Sequence, residues 1–464
     1  MKIQQFFFCA RSSIFTLAVL LFLVFQLMPF KGLDFILSVV SILAIALSLS
    51  SCKLFTRLMS IVFLTLGTWM VWNKDFSFVS YIKLYGDMLY LLSLFLIVPL
   101  LSIPIQVGEY RKVFEQLFQK RVKSISQFYR IITGLSYFLG SFLNLAAIPI
   151  VHSSVKSAVD VQQIDEPKRF LASSIIQGYS LPNMWTPLSG VVGAVLYVTD
   201  VSWIYIFPTL FLISLVTLIF NWTLFSIIEH KKSGRVKQET AVTAEHTLPD
   251  SHPLFFRKML QTLLAIILLL LLIVGVDAVF SLGLTVSVTL ITLPFAWLWC
   301  LTLRKGQAFM PMIKQHFTHK VGEMSESFAI FLSAGFFVQA LQYSGNDRFV
   351  NQLFVQFSEL VGVHFFLFLI PYITLLLAYL GMHPIVVVTL LAQSLAPDIL
   401  GVPPEQLAIA FLGGAVMTFY MGPFSGTLGL MSSIIDVAPL RISRWSLVQV
   451  IGFSFILTAA FWLG

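Results

Sequence analysis

Charge is what this 464-residue chain has least of: Asp, Glu, Lys and Arg make up 11% of it against 58% hydrophobic residues, and mean hydropathy is +0.91. So little polar surface cannot coat a soluble globule of this size, which excludes large soluble domains and places the chain in lipid. Cysteine is almost missing. Cys9, Cys52 and Cys300 stand in or beside apolar runs with no Cys-x-x-Cys spacing, so neither a disulfide framework nor a zinc site is indicated. The spans also lack paired carboxylates, a Cys/His pair and a Gly-rich phosphate cradle, which speaks against an enzyme and against ATP hydrolysis. No cofactor is implied beyond a coupling ion such as Na⁺. The net charge of +8 would suit nucleic acid, but Lys and Arg gather in short loops between apolar runs. That distribution reports topology, with lipid and not nucleic acid as the partner.

What is there is one apolar run after another. A hydrocarbon core about 30 Å thick takes roughly 20 residues per helical span, so the length suits about ten to twelve spans. Residues 1–30, with Lys2 and Arg11 before the run 14–30, read as an extra N-terminal span, since no small-residue cleavage site follows. Further runs lie near 35–50, 58–73, 88–105, 131–151, 171–198, 203–227, 258–277, 279–302, 326–342, 363–387, 405–435 and 446–464. Two mixed stretches, 106–125 and 346–362, suit helices lying along the interface or, equally, solvated loop helices. The polar segment 229–257 reads as a cytoplasmic linker between halves.

The halves repeat. Thr186-Pro187-Leu188-Ser189-Gly190-Val191-Val192-Gly193 returns as Gly422-Pro423-Phe424-Ser425-Gly426-Thr427-Leu428-Gly429, an offset of 236, and Asp200-Val201 returns as Asp436-Val437. Leu171-Ala172 and Gln116-Leu117-Phe118 match at the same offset, and Pro149-Ile150-Val151 and Tyr137 match one residue off it. Leu and Phe coincide cheaply here, whereas Pro, Gly and Asp do not, so Pro-x-Ser-Gly-x-x-Gly carries the repeat. Orientation follows from charge. All but four of the 29 Lys and Arg (Lys31, Lys74, Lys83 and Arg348) sit in seven loops. These loops share the cytoplasmic side only if 131–160 is a hairpin that dips in and returns. Its repeat mate, 363–397, then dips in from outside. The expectation is an all-α polytopic membrane protein with about 11 transmembrane helices plus two re-entrant hairpins in two inverted repeats, 31–228 and 258–464. The N-terminus is cytoplasmic and the C-terminus outside.

Interrupted backbone at membrane depth survives only where it is buried or lines a wet cavity, so breaks are binding-site candidates. The segment 178–190, with Asn183, Thr186, Ser189 and Gly190, carries two prolines and two glycines inside an apolar span. Its mate, from Gly413-Gly414 through Thr418 to Ser425 and Gly426, has the same character. A broken helix presents N–H groups to an anion and C=O groups to Na⁺ without needing a charged side chain; the alternative is that these small residues only let helices pack closely. At the hairpin tips Asn144 and His383 are the candidates. His383 could relay a proton or hold an anion, or be a neutral imidazole satisfied by a carbonyl. Asp200 and Asp436 read as terminal residues facing water. His316 and His319 read as a surface pair, and no metal site is expected.

With eleven crossings, a hairpin from each side, an extra first span and a broken span after each hairpin, the chain resembles the ion transporter superfamily of secondary transporters, most of all the divalent anion/sodium symporters. That branch carries Ser-Asn-Thr at each hairpin tip; here Asn144 stands at one tip and Gly381-Met382-His383 at the other. Thr186-Pro187 is similar to the family's Thr-Pro pair, and Gly422-Pro423 replaces it in the second copy. The resemblance therefore implies a distant branch. It implies a permease of the cell membrane that moves a small anionic solute with Na⁺ or H⁺ by an elevator-like motion; a homodimer is admissible. Two other classes stay open: a membrane-embedded glycosyl polymerase or ligase, which would want a larger external loop with Arg and His, and a non-transporting gate subunit.

Overall fold

A computed structural model describes residues 2–72, 77–109, 124–161, 164–233, 252–395 and 401–463, and every regular element among them is helical. Lipid demands as much, because a helix pairs its own N–H and C=O groups. Among the described residues nine helical runs are long and apolar enough to cross a bilayer, or up to eleven if two bent pairs each count as one. The first helix, Lys2–Leu27, fills the place of the extra N-terminal span. Most of the stretch 106–125, with Gln116-Leu117-Phe118, and of the linker 229–257 lies outside the described residues. The second interfacial stretch is the helix Asp347–Val361, which turns sharply at Gly362 into Val363–Tyr379.

Contacts fix the path of the chain through the first hairpin. Phe170 packs its ring 5.6 Å from that of Phe128. Farther along both segments Trp185 Nε1 donates to the Tyr137 hydroxyl at 2.9 Å and Thr186 Oγ1 to the Ser141 carbonyl at 2.6 Å. Residues 167–186 thus run alongside Ile125–Leu143 in the same direction, and Ala147–Val161 has to run back between them. Fifteen residues at 1.5 Å each return about 22 Å. The reversal falls on Asn144, whose φ is 52°.

The second hairpin closes by the same logic. Tyr372 and Tyr379 hydrogen-bond Ser454 and Ser443, so Val363–Tyr379 runs against the last part of the chain. Pro404–Met421 also runs against it, because Gly413 abuts Leu457 and Tyr420 faces Phe453. The two segments are therefore parallel, and Pro384–Ser394 returns between them after a turn at Gly381, φ 97°.

Matching positions do matching work in the two halves. Gly178 presses on Thr133 and Ser136, and Gly414 presses on Pro371 and Thr374; a side chain at either glycine would push two helices apart. The Tyr137 hydroxyl meets Ser214 as that of Tyr372 meets Ser454. Asp200 and Asp436 both end their helices in the left-handed region and are exposed. The broken spans themselves cross antiparallel: Tyr420 reaches the Gln177 carbonyl at 3.3 Å, while Lys168 reaches the Asp436 carbonyl at 3.4 Å. One expectation needs correcting. His319 is exposed, but His316 is buried with Nε2 2.8 Å from the Leu96 carbonyl, and burial lowers its pKa below the usual histidine value. The Leu96 carbonyl gives the buried ring the hydrogen bond it would otherwise have made to water.

Candidate functional site

The first break is made by two prolines. Pro182 starts a tight turn, Leu181–Met184, and Pro187 bars Thr186 from helical geometry, so the helix Pro167–Ser180 stops and a new one, Gly190–Thr199, begins. All of 181–190 is buried. The polar groups are consequently paired with one another. Asn183 donates to the Tyr179 carbonyl at 2.9 Å and accepts from Ser189 Oγ at 3.1 Å, while Thr186 holds the hairpin at Ser141. Ser189 occupies the N-cap position of Gly190–Thr199 without capping it, so the first-turn N–H groups keep their partial positive charge facing the break.

In the second half the helix Pro404–Met421 is unbroken as far as Met421, and only 422–425 interrupt it. Thr418 therefore lies inside intact helix, with Oγ1 on the Gly414 carbonyl at 3.0 Å. Gly413 and Gly414 are packing positions here and not part of the break. Ser425 caps Gly426–Ile435 through the Leu428 N–H at 3.3 Å.

The hairpin tips come to these breaks. Asn144 Oδ1 accepts from the Tyr179 hydroxyl at 3.2 Å and from the Leu145 N–H at 2.8 Å. Leu145 in turn lies against Gly426, where an added Cβ would stand 3.5 Å from it. Ile385, just past the second tip, lies 3.4 Å from the same test position on Gly190, which also faces Phe95. Phe55 ties the remaining pair together by touching Gly381 and stacking on Phe424 at 6.3 Å. Both tips and both breaks thus meet in one junction. His383 accepts the Ile385 N–H at Nδ1, 3.3 Å away, and sets its ring edge-on to Phe331; with Nδ1 accepting, the neutral ring carries its proton on Nε2.

The junction groups Asn144, Asn183 and Ser189 through Tyr179, with Thr186 tied to the hairpin at Ser141, and it brings Gly190, His383, Ser425 and Gly426 to its walls; Thr418 stays inside its helix. Tyr179, Phe95 and Phe55 are participants that sequence reasoning did not single out. Tyr179 was open to discovery, being a hydroxyl three residues before Pro182; the phenylalanines carried no signal among 45. An open cavity of about 620 Å³, lined by Ile61, Thr68, Trp69, Trp72, Tyr81 and Tyr85, lies elsewhere. Chemically the junction offers amides, hydroxyls, one imidazole and uncapped helix N–H groups. These can hold a small polar or anionic solute.

No protein-family model matches this chain, and no curated protein sequence matches it either. A solved structure does. The crystal structure of the Alcanivorax borkumensis YdaH transporter, described as having an unusual topology, aligns with 89% of this chain and 98% of its own at a TM-score of 0.57 and 16% identity. At that identity the likeness is one of fold.

Proposed function

We propose that this protein is a secondary active transporter of the cell membrane that moves a small anionic solute, coupled to Na⁺ or H⁺, by an elevator-like alternating-access mechanism. The observation that carries the reading is the junction of two hairpin tips with two broken spans, where the buried first break meets partly exposed tips and a partly exposed second break. Uncapped N–H groups at Gly190–Thr199 supply positive potential for an anion without a lysine or a metal. The fold shared with a transporter supports the same reading. Antiparallel broken spans and the paired glycine crossings support treating 31–228 and 258–464 as inverted copies, and the gathering of Lys and Arg in seven loops supports a cytoplasmic N-terminus and an outside C-terminus. Inverted copies are what let two hairpin-bearing units rise and fall against a scaffold.

Counterflow in proteoliposomes against a panel of carboxylates, sulfate and nucleosides, with and without Na⁺, tests the function. Exchange of at least one anion is expected; a purified, folded protein that exchanges none of them would count for a gate subunit instead. Accessibility labelling tests the topology. Lys156 and Glu405 should label from opposite faces, and labelling from one face would end the inverted reading.

A further inference from the structure

Outside the junction, a carboxyl with one oxygen sealed from solvent stands beside the returning leg of the second hairpin. Asp87 occupies the turn between the short helix Phe78–Ile82 and the span Leu89–Val107. That turn lies deep in the bundle: Gly86 abuts Ser41 at the middle of Leu33–Leu49, and Met88 packs on Gly335 at the middle of Ser325–Ser344. Gln339 Nε2 donates to Asp87 Oδ1 at 2.9 Å. Oδ2 is shut off from solvent and has no hydrogen-bond partner among the described residues, and the same holds for Gln393 Oε1 and the Tyr90 hydroxyl. Gln393, on Pro384–Ser394, stands beside the same carboxyl without closing a hydrogen bond to it.

An ionised carboxylate with one oxygen stranded at that depth is costly, and so is a stranded amide oxygen. A single proton answers both. Placed on Oδ2 it turns the carboxyl into a donor and gives Gln393 Oε1 the partner it lacks, the amide being free to present either end. The titratable groups facing Asp87 are Tyr90 on its own segment and Tyr197 on Gly190–Thr199, whose rings lie 4.4 Å apart. Gln339 and Gln393 are neutral, and Lys83 is engaged by Asp34 at 2.6 Å.

We propose, resting on the transporter reading above, that Asp87 carries the coupling proton and holds it while the returning leg of the second hairpin is docked against it. That leg joins the two sites. Ile385 at its start touches Gly190 in the junction, and Gln393, eight residues on and about 12 Å away, stands beside Asp87. Movement of the hairpin withdraws the acceptor from the O–H. The O–H bond then breaks, the electron pair stays as carboxylate, and the proton passes to water on the side that has opened. Gly190–Thr199 comes to the same place through Tyr197, whose ring lies 4.4 Å from that of Tyr90, so both elements that meet at the junction also come near Asp87.

Infrared difference spectra of the full chain in lipid nanodiscs, titrated with pH, read the proton directly. A carboxylic-acid C=O band is expected that disappears in Asp87→Asn and persists in Glu405→Gln; a band retained in Asp87→Asn overturns the proposal. If Asp87→Asn does not fold, Gln393→Leu serves in its place. Loss of the acceptor should move the band to higher wavenumber, and an unmoved band overturns the proposal equally. In proteoliposomes, accumulation of the exchanged anion under an imposed pH gradient should fall at least tenfold in Asp87→Asn and stay at the wild-type level in Glu405→Gln. Undiminished accumulation in Asp87→Asn, or wild-type accumulation driven by Na⁺ and indifferent to pH, sinks the coupling proton. The infrared measurement needs no solute, so a wild type that carries nothing on the panel yet shows the Asp87 band would remove the transport reading and leave the protonated carboxyl in place.

Discussion

The two interrupted spans share Pro-x-Ser-Gly-x-x-Gly and put its serine to different uses. In the first, Ser189 turns its hydroxyl back to Asn183, and the helix Gly190–Thr199 begins without a side-chain cap. In the second, Ser425 caps its own helix at Leu428, while neighbouring Phe424 is 62% exposed. The cause lies upstream. Pro182 winds the preceding turn tightly enough to bring the Asn183 amide beside Ser189, whereas Phe419, Tyr420 and Met421 continue their helix and offer Ser425 no amide. The shared string makes the break; what precedes it decides whether the N–H groups beyond are capped by the serine or left uncapped. If the junction binds a solute as proposed, the first break is its binding half and the second a support.

The largest effect separating the halves is expected at the glycine crossings. A Cβ on Gly178 would fall 2.2 Å from the Thr133 carbonyl oxygen, which is backbone and cannot swing away, whereas one on Gly414 would meet Thr374 side-chain atoms at 2.8 Å and backbone only at the Pro371 Cα, 3.0 Å away. Gly178→Ala should cost about 3 kcal/mol or more and Gly414→Ala about 1–2 kcal/mol. Thermal melting of the purified variants in detergent checks this. Equal losses would mean that the halves are braced alike, and the asymmetry argued from the breaks would lose its structural footing.

Next in size is the contrast between Asn183 and Ser425. Asn183→Ala strands the Ser189 hydroxyl and the Tyr179 carbonyl in a fully buried segment, a loss of about 1–3 kcal/mol, and frees Ser189 to turn back and cap its helix. Counterflow should drop tenfold or more, which corresponds to about 1.4 kcal/mol in the rate. Ser425→Ala removes an ordinary cap at a cost of about 1 kcal/mol and should lower counterflow less. The reverse order, measured on the same anion in proteoliposomes, would move the binding half to the second break.

How much of this could be read along the chain depended on which residues were rare. Pro, Gly and Asp are scarce enough in so apolar a sequence that Pro187-x-Ser189-Gly190 and its mate stood out, and the positions of the two breaks followed. The hairpins were inferred from loop charge, and Asn144 and Gly381 mark their turns. What joins the parts was hidden, because Leu145, Ile385, Phe55 and Phe95 are the commonest kinds of residue here, and nothing in one dimension separates a ring packed on a break from one facing lipid. Asp87 escaped for another reason. It falls one residue before an apolar run and four after Lys83, so it reads as a solvated loop end, and only the packing of Gly86 and Met88 against mid-helix positions shows its depth.

The smallest expected effect contrasts the tips. Both hairpins turn through positive φ, but Gly381 does so without a Cβ, whereas Asn144 is held at φ 52° and ψ −143°, a region close to one that glycine alone occupies easily. Such strain costs about 1–3 kcal/mol, and the side chain recovers part of it by accepting from the Leu145 N–H and the Tyr179 hydroxyl. Asn144→Gly removes the strain and those hydrogen bonds together, while also giving the unfolded chain more freedom. Stability should therefore change by no more than about 1 kcal/mol, whereas counterflow falls because the amide no longer faces the junction. If Asn144→Gly melts like the wild type and transports like it, the first tip is a turn and nothing more, and the amides that face a solute have to be sought at Asn183 alone.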